Sequence, residues 1–224
     1  MARTELHFHA LHSLDDGPTE LAESVELMSR AVADGTDTVV ATPHVRSDMV
    51  TDVRDFDERV AELQGAARAA GLDIRLHTGG ELGHDMVGRL AQSELDSIAQ
   101  GPPDGRWLLV EAPFAAIDDS FHAATDELRD RGFGVLVAHP ERSADASLDG
   151  ASGLRHELGR GSLAQVNAQS ITGAHGPTRP PLLGQARAEL VAGGIDAALA
   201  AGLTDSGPRR LLARGIRVPV ALVA

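Results

Sequence analysis

The chain has 224 residues, a formal net charge of −13, no cysteine, and 20 basic residues that are all arginine. Without thiols there is no disulfide, no thiolate zinc site and no cysteine-nucleophile phosphatase, and so acidic a chain is unsuited to gripping a phosphate backbone, which excludes nucleic acid as a general partner. The length fits a single domain over residues 1–224, near the lower end for a (β/α) barrel, and no stretch approaches the ~20 apolar residues of a membrane span.

The start, Met1-Ala2-Arg3-Thr4-Glu5, runs straight into a strand pattern with no apolar leader, so a cytoplasmic protein is expected. The first predicted strand, Glu5 to Ala10, carries His7 and His9, which on extended backbone face the same way and can clasp one ion. His12 follows in the loop, as do Asp15 and Asp16; either carboxylate could reach that ion, although Asp-Asp-Gly is also ordinary turn chemistry. Leu21, Val25, Met28 and Val32 then recur at helical spacing, with Thr19 as N-cap and Gly35 past the end.

A second strand, Thr38 to Thr42, leads directly to His44. Phe56, Val60, Leu63 and Ala67 form the next helical stripe, and strand Ile74 to Thr78 precedes Gly79, Gly80 and Glu81. The fourth strand, Trp107 to Glu111, is apolar up to a terminal carboxylate, which is costly to bury unless paired or metal-bound; bridging two ions would satisfy it. Ala124 and Leu128 carry a weaker stripe before the fifth strand, Gly134 to Ala138, which runs into His139 and then Arg142. Ser143 to Gly153 reads as a loop and Leu163 to Asn167 as a sixth strand.

Strands alternating with helices argue for a parallel sheet, and five of these six strands lead into or carry His or Glu. Barrel enzymes keep their catalytic groups at that mouth. A sulfur-free mixture of His and carboxylate suits Mn, Fe or Zn and favours a multinuclear site that activates water and clamps phosphate oxygens. Arg142 and Arg179 are the candidates for holding the phosphate.

In order along the chain, LHFHALHSLDDGP, VVATPHV, TGGEL, LLVEAPF, VLVAHPER and LAQVNAQSITG resemble the PHP (polymerase and histidinol phosphatase) superfamily. Within it they are most similar to the bacterial metal-dependent tyrosine-protein phosphatases of capsular and exopolysaccharide clusters. The resemblance implies a distorted seven-stranded (β/α) barrel holding two or three ions, of Mn or else Fe, Zn or Mg. The implied ligands are His7, His9, Asp16, His44, Glu81, Glu111 and His139; Arg142 and Arg179, and His12 in the first active-site loop, are the catalytic candidates offered by the residues themselves. It implies a phosphotyrosine protein as substrate, such as the tail of a bacterial tyrosine kinase; a homo-oligomer is compatible with the sequence but not specified by it.

The pattern departs from the family after the sixth strand. Relatives carry Asp-x-His on a seventh strand; here Ser170-Ile171-Thr172-Gly173 runs almost directly into Arg179. A Gly/Pro-rich loop, a helix from about Leu182 to Ala192 and short helical pieces follow. The expectation is therefore a barrel retaining six of the seven strands, with the apolar end, Val218 to Val223, as a candidate to fill the gap. Two further readings stand beside the tyrosine phosphatase: a small-molecule phosphoesterase of the histidinol-phosphatase kind, and a degenerate, inactive binding protein.

Overall fold

The structure, a computed structural model, describes residues 3–144, 152–167, 170, 190–193, 207–216 and 218. In chain order its elements are β1 (Arg3–Phe8), α1 (Leu21–Ala33), β2 (Thr36–Ala41), β3 (His44–Val45), α2 (Phe56–Ala69), β4 (Arg75–Thr78), β5 (Glu81–Gly83), α3 (Gln92–Ile98) and β6 (Trp107–Glu111). They continue with α4 (Asp119–Asp130), β7 (Gly134–Ala138), α5 (Ser152–Gly159), β8 (Leu163–Asn167), β9 (Leu190–Gly193) and α6 (Gly207–Arg214). Neighbouring strands pair in parallel, in the orders β1-β2-β4 and β3-β5-β6-β7-β8-β9.

The two sheets are one α/β wall broken twice along the same line. β2 passes into β3 through Thr42-Pro43, and β4 into β5 through Gly79-Gly80. Proline offers no N–H to a ladder, and a Cβ on Gly79 would lie 2.6 Å from Cγ1 of Val40, so that close approach requires glycine. Immediately beyond the breaks come His44 and Glu81, which are register partners. The double break thus turns a pair of strand ends into two adjacent ligating groups.

Counted by track, β1, β2/β3, β4/β5, β6, β7, β8 and β9 make seven strands. This corrects the six-strand expectation: Leu190–Gly193, read from sequence as the end of a helix, pairs in parallel with β8 from Ala164↔Leu190 to Asn167↔Gly193. β9 also lies against β1, with no ladder between them among the described residues. The strand position is filled, but its residues include neither the Asp nor the His of the relatives' seventh strand. Arg179 and the tail from Pro219 to Ala224 lie outside the described residues.

Burial follows the expected logic. Every residue of β6 and β7 is buried, as in a parallel strand covered on both faces, and side chains such as Leu108, Val110 and Val137 each contribute about 1.5–3 kcal/mol by leaving water. The α2 stripe of Phe56, Val60, Leu63 and Ala67 is buried as predicted. In α1, Met28 is fully buried and Leu21, Val25 and Val32 pack partly against the same cluster. Its N-cap is Glu20 rather than Thr19; Thr19 sits one residue earlier, and its N–H and hydroxyl both donate to Glu23 at 2.7 Å. After α6, the Ile216 amide donates to the Gly105 carbonyl at 3.0 Å, and a Cβ on Gly134 would meet the Ile216 side chain at 2.3 Å.

Candidate metal centre

A cavity of about 830 Å³ opens where these strands end. His7, His9, Asp16, His44, Glu81, Glu111, His139 and Arg142 all line it, so the structure brings these candidates together; Asp15 and His12, the latter half-buried in the first loop, are not part of the lining. The extended backbone of β1 aims His7 and His9 inward, and their rings lie 5.3 Å apart. His139 directly follows β7 in a left-handed conformation, φ 31° and ψ 51°, a strained choice for a non-glycine residue that is typical of functional positions. The turn that follows, Pro140–Arg142, carries Arg142 back to the cavity.

Glu81 is the centre. Its Oε2 has His7 Nε2 at 3.0 Å, His9 Nε2 at 3.1 Å and His44 Nδ1 at 3.2 Å, while its Oε1 lies 2.7 Å from His139 Nε2. Yet Glu81 Oε2, His44 Nδ1 and His139 Nδ1 are buried with no partner in hydrogen-bond geometry. Two buried residues fix the tautomers. Asp15 Oδ2 accepts from His9 Nδ1 at 2.7 Å, and Gln165 Oε1 accepts from His7 Nδ1 at 2.8 Å. With those protons spent, the two Nε2 atoms face each other at 3.2 Å. Two lone pairs beside a carboxylate at that distance need a cation between them.

The spacing is that of neighbouring ligands on one ion: donors about 2.1 Å from a metal at near-right angles lie roughly 3 Å apart. Three overlapping sets keep their ligand atoms within 4.8 Å of one another, namely His7, His9 and Glu81, which has the tightest spacing; His9, Asp16 and His44; and His44, Glu81 and Glu111. The residues present therefore fit divalent cations held by nitrogen and oxygen. In the absence of metal, protons take that place. Burial opposes the charge on His7 and His9, but Glu81, with Asp15 for His9, outweighs it; both imidazoles are raised, His9 to about 10. Burial would likewise raise Glu81, but the imidazoles around it hold its carboxyl well below the usual range. His139 is lowered by burial despite Glu81, so it presents lone pairs rather than a second proton.

Glu111, to which the sequence reading gave a bridging role, lines the same cavity and shares a candidate ligand set with His44 and Glu81. It accepts from Arg46 NH1 at 3.0 and 3.3 Å and is 3.7 Å from His44. Burial and the neighbouring Glu81 raise its pKa against the pull of His44 and Arg46. Arg46 and Gln165 are residues the sequence reading did not single out, and it offered Asp15 only as a possible ligand or turn residue rather than as the partner of His9 Nδ1. Gln165 had a signal, because it and Asn167 alternate as polar residues on the otherwise apolar β8, and Gln165 Nε2 donates to Asn167 Oδ1 at 3.2 Å.

A second cluster, His122, His156 and Glu157, also satisfies ligand spacing. Its carboxylate is fully engaged. Glu157 Oε1 receives His122 Nδ1 at 2.7 Å and the Thr125 hydroxyl at 2.9 Å; Oε2 receives Arg129 NH2 at 2.5 Å and the Ser162 hydroxyl at 2.9 Å. That network fastens α4 to α5 and occupies both oxygens of Glu157. It also explains why the α4 stripe looked weak: Thr125 and Arg129 occupy buried positions of the stripe as polar members.

Comparison with known proteins agrees with this geometry. A family model described as capsular polysaccharide synthesis, CpsB/CapC, matches residues 3–186. The putative tyrosine-protein phosphatase CapC of Staphylococcus aureus is 27% identical over 173 residues, covering 77% of this chain and 67% of the relative. The tyrosine-protein phosphatase YwqE of Bacillus subtilis (strain 168) is 28% identical over 174 residues, with coverage of 77% and 67%. Among solved structures, one described as YwqE from Bacillus subtilis and CpsB from Streptococcus pneumoniae, "unique metal-dependent tyrosine phosphatases", superposes with a TM-score of 0.77 at 21% identity over 96% of both chains. An amidohydrolase from Mycoplasma synoviae gives 0.51 at 12% identity, covering 96% of this chain and 72% of the other. These structural likenesses carry the fold, an α/β wall of parallel strands.

Proposed function

The chain belongs to the CpsB/CapC family, and from that premise we propose that it is a metal-dependent phosphoester hydrolase acting on protein phosphotyrosine in the control of polysaccharide synthesis. The observation that carries the reading is the convergence of three imidazole nitrogens within 3.0–3.2 Å of Glu81 Oε2, a buried oxygen that has no partner in hydrogen-bond geometry. His7, His9, Asp16, His44, Glu81, Glu111 and His139 are the proposed ligands, for two or three ions of Mn or a similar metal. The proposal places the protein in the cytoplasm as a single domain, with the tail of a tyrosine kinase as substrate; among the described residues no helix is long and apolar enough to cross a membrane.

A divalent cation bound there supplies an acidified water and neutralises phosphoryl oxygens. The chain's own groups prepare the site for both. Asp15 and Gln165 hold protons at Nδ1 of His9 and His7, so that Nε2 stays free to ligate. Arg142, on the rim, is placed to take a phosphate oxygen as its charge-matched donor.

One observation favours a second reading, binding without turnover: β9 occupies the seventh track without an Asp or His. Both are tested by counting metals in the purified chain and assaying p-nitrophenyl phosphate with Mn and with chelator. The enzyme reading expects at least two ions and turnover that chelator abolishes. Metal binding without turnover would leave the second reading; neither would remove both.

A further inference from the structure

Among the described residues only two large apolar side chains stand exposed, Met49 at 43% and Phe114 at 50%. Single exposed apolar residues need no explanation. Here, however, both line the cavity of the metal centre, one from the loop after β3 and the other from the loop after β6. Neither loop is loose. The Arg46 amide donates to the Val50 carbonyl at 3.0 Å and the Met49 amide to the Arg46 carbonyl at 3.1 Å. On the other side, the Ala144 amide donates to the Phe114 carbonyl at 2.8 Å and the Ser143 hydroxyl to the Pro113 carbonyl at 2.7 Å.

The Phe114 ring is also oriented. It lies parallel to His139 within 8°, with centroids 6.4 Å apart, and the Arg142 guanidinium sits 4.8 Å from its centroid. Apolar surface held open beside a charged cavity gains free energy only when something covers it. A phosphate held by the centre and Arg142 would carry its ester group outward past Phe114 and Met49. An aromatic ring at that point can stack against Phe114 and lie against the polarisable thioether of Met49; a short alkyl group reaches neither.

We propose that Phe114 and Met49 form an aryl subsite that makes the centre select aromatic over alkyl phosphates. This rests on the phosphoesterase reading for its biological meaning but not for its test, because the subsite acts through binding. The experiment measures the affinities of the Mn-loaded protein for phenylphosphonate and methylphosphonate by titration calorimetry, in the wild type, Phe114→Ala, Phe114→Leu and Met49→Ala. The expected result is a preference for the phenyl compound of about 10-fold or more in the wild type, corresponding to a gain of about 1.4 kcal/mol. That ratio should drop to near one in Phe114→Ala and fall partway in Phe114→Leu and Met49→Ala, with methylphosphonate affinity changing less than about twofold. A wild-type ratio near one, or no binding of either compound, overturns the proposal. Equal loss of both compounds in Phe114→Ala also overturns it, since Phe114 would then be acting only by seating Arg142. Phenyl preference in a protein that turns over no phosphate ester would leave the subsite standing and remove the phosphoesterase reading.

Discussion

Glu81 and Glu157 are both carboxylates with no exposed surface, each in contact with histidine, and each part of a cluster with metal-ligand spacing. They differ in what their oxygens do. Glu157 spends both oxygens on four donors, including the side chain of Arg129, and so is a structural joint between α4 and α5. Glu81 keeps one oxygen without a hydrogen bond while three imidazole nitrogens crowd it. Spacing alone does not distinguish a ligand set from a packed network; counting unsatisfied lone pairs does.

The comparison is sharpened most by Glu157→Gln, which strips the charge partner from an Arg129 side chain only 5% exposed. Breaking a buried pair costs about 3–5 kcal/mol, and the lower end is expected because Asp126 still reaches Arg129 at 2.7 Å. Urea unfolding should show that loss, with metal stoichiometry unchanged. Asp15→Asn comes next. It keeps the side chain's size but removes the charge behind His9, and such supporting partners are typically worth 10–100-fold in metal affinity. Gln165→Leu should act in the same direction through His7, near the lower end of that range; metal titration followed by calorimetry checks both.

A further prediction is the pH dependence of the metal-free protein. His9 is raised from 6.5 to about 10, so the stability it contributes is complete below 6.5 and is lost as pH rises toward about 10. Glu81, held well below 4.5, contributes above 4.5 and loses that contribution as pH falls through its lowered value. The site should therefore stabilise the metal-free chain most between pH 4.5 and 6.5. Thermal unfolding in chelator checks this: His9→Gln should flatten the decline between 6.5 and 10.

Much of this was legible in the residues. His7, His9, His44, Glu81, Glu111 and His139 follow or carry apolar strand segments, and parallel strands in successive βα units have to bring their ends together. What was not legible depended on pairing between distant segments. Leu190–Gly193 looked like the end of a helix because Ala and Glu precede it; its pairing with β8 decides otherwise, and tertiary context overrides propensity. The pairing of Glu111 with Arg46, 65 residues away, was likewise not legible. Thr125 and Arg129 hid a helix face, since a buried polar network has no apolar period to read.

The most direct measurement sets Glu81→Gln beside Glu157→Gln and determines, for each, bound Mn per chain and the unfolding midpoint of the metal-free protein. The account expects the two variants to part on metal: Glu81→Gln should lose most of its bound Mn, whereas Glu157→Gln should keep its metal and unfold earlier than the wild type in chelator. Full metal occupancy in Glu81→Gln, or loss of metal in a folded Glu157→Gln, would contradict it.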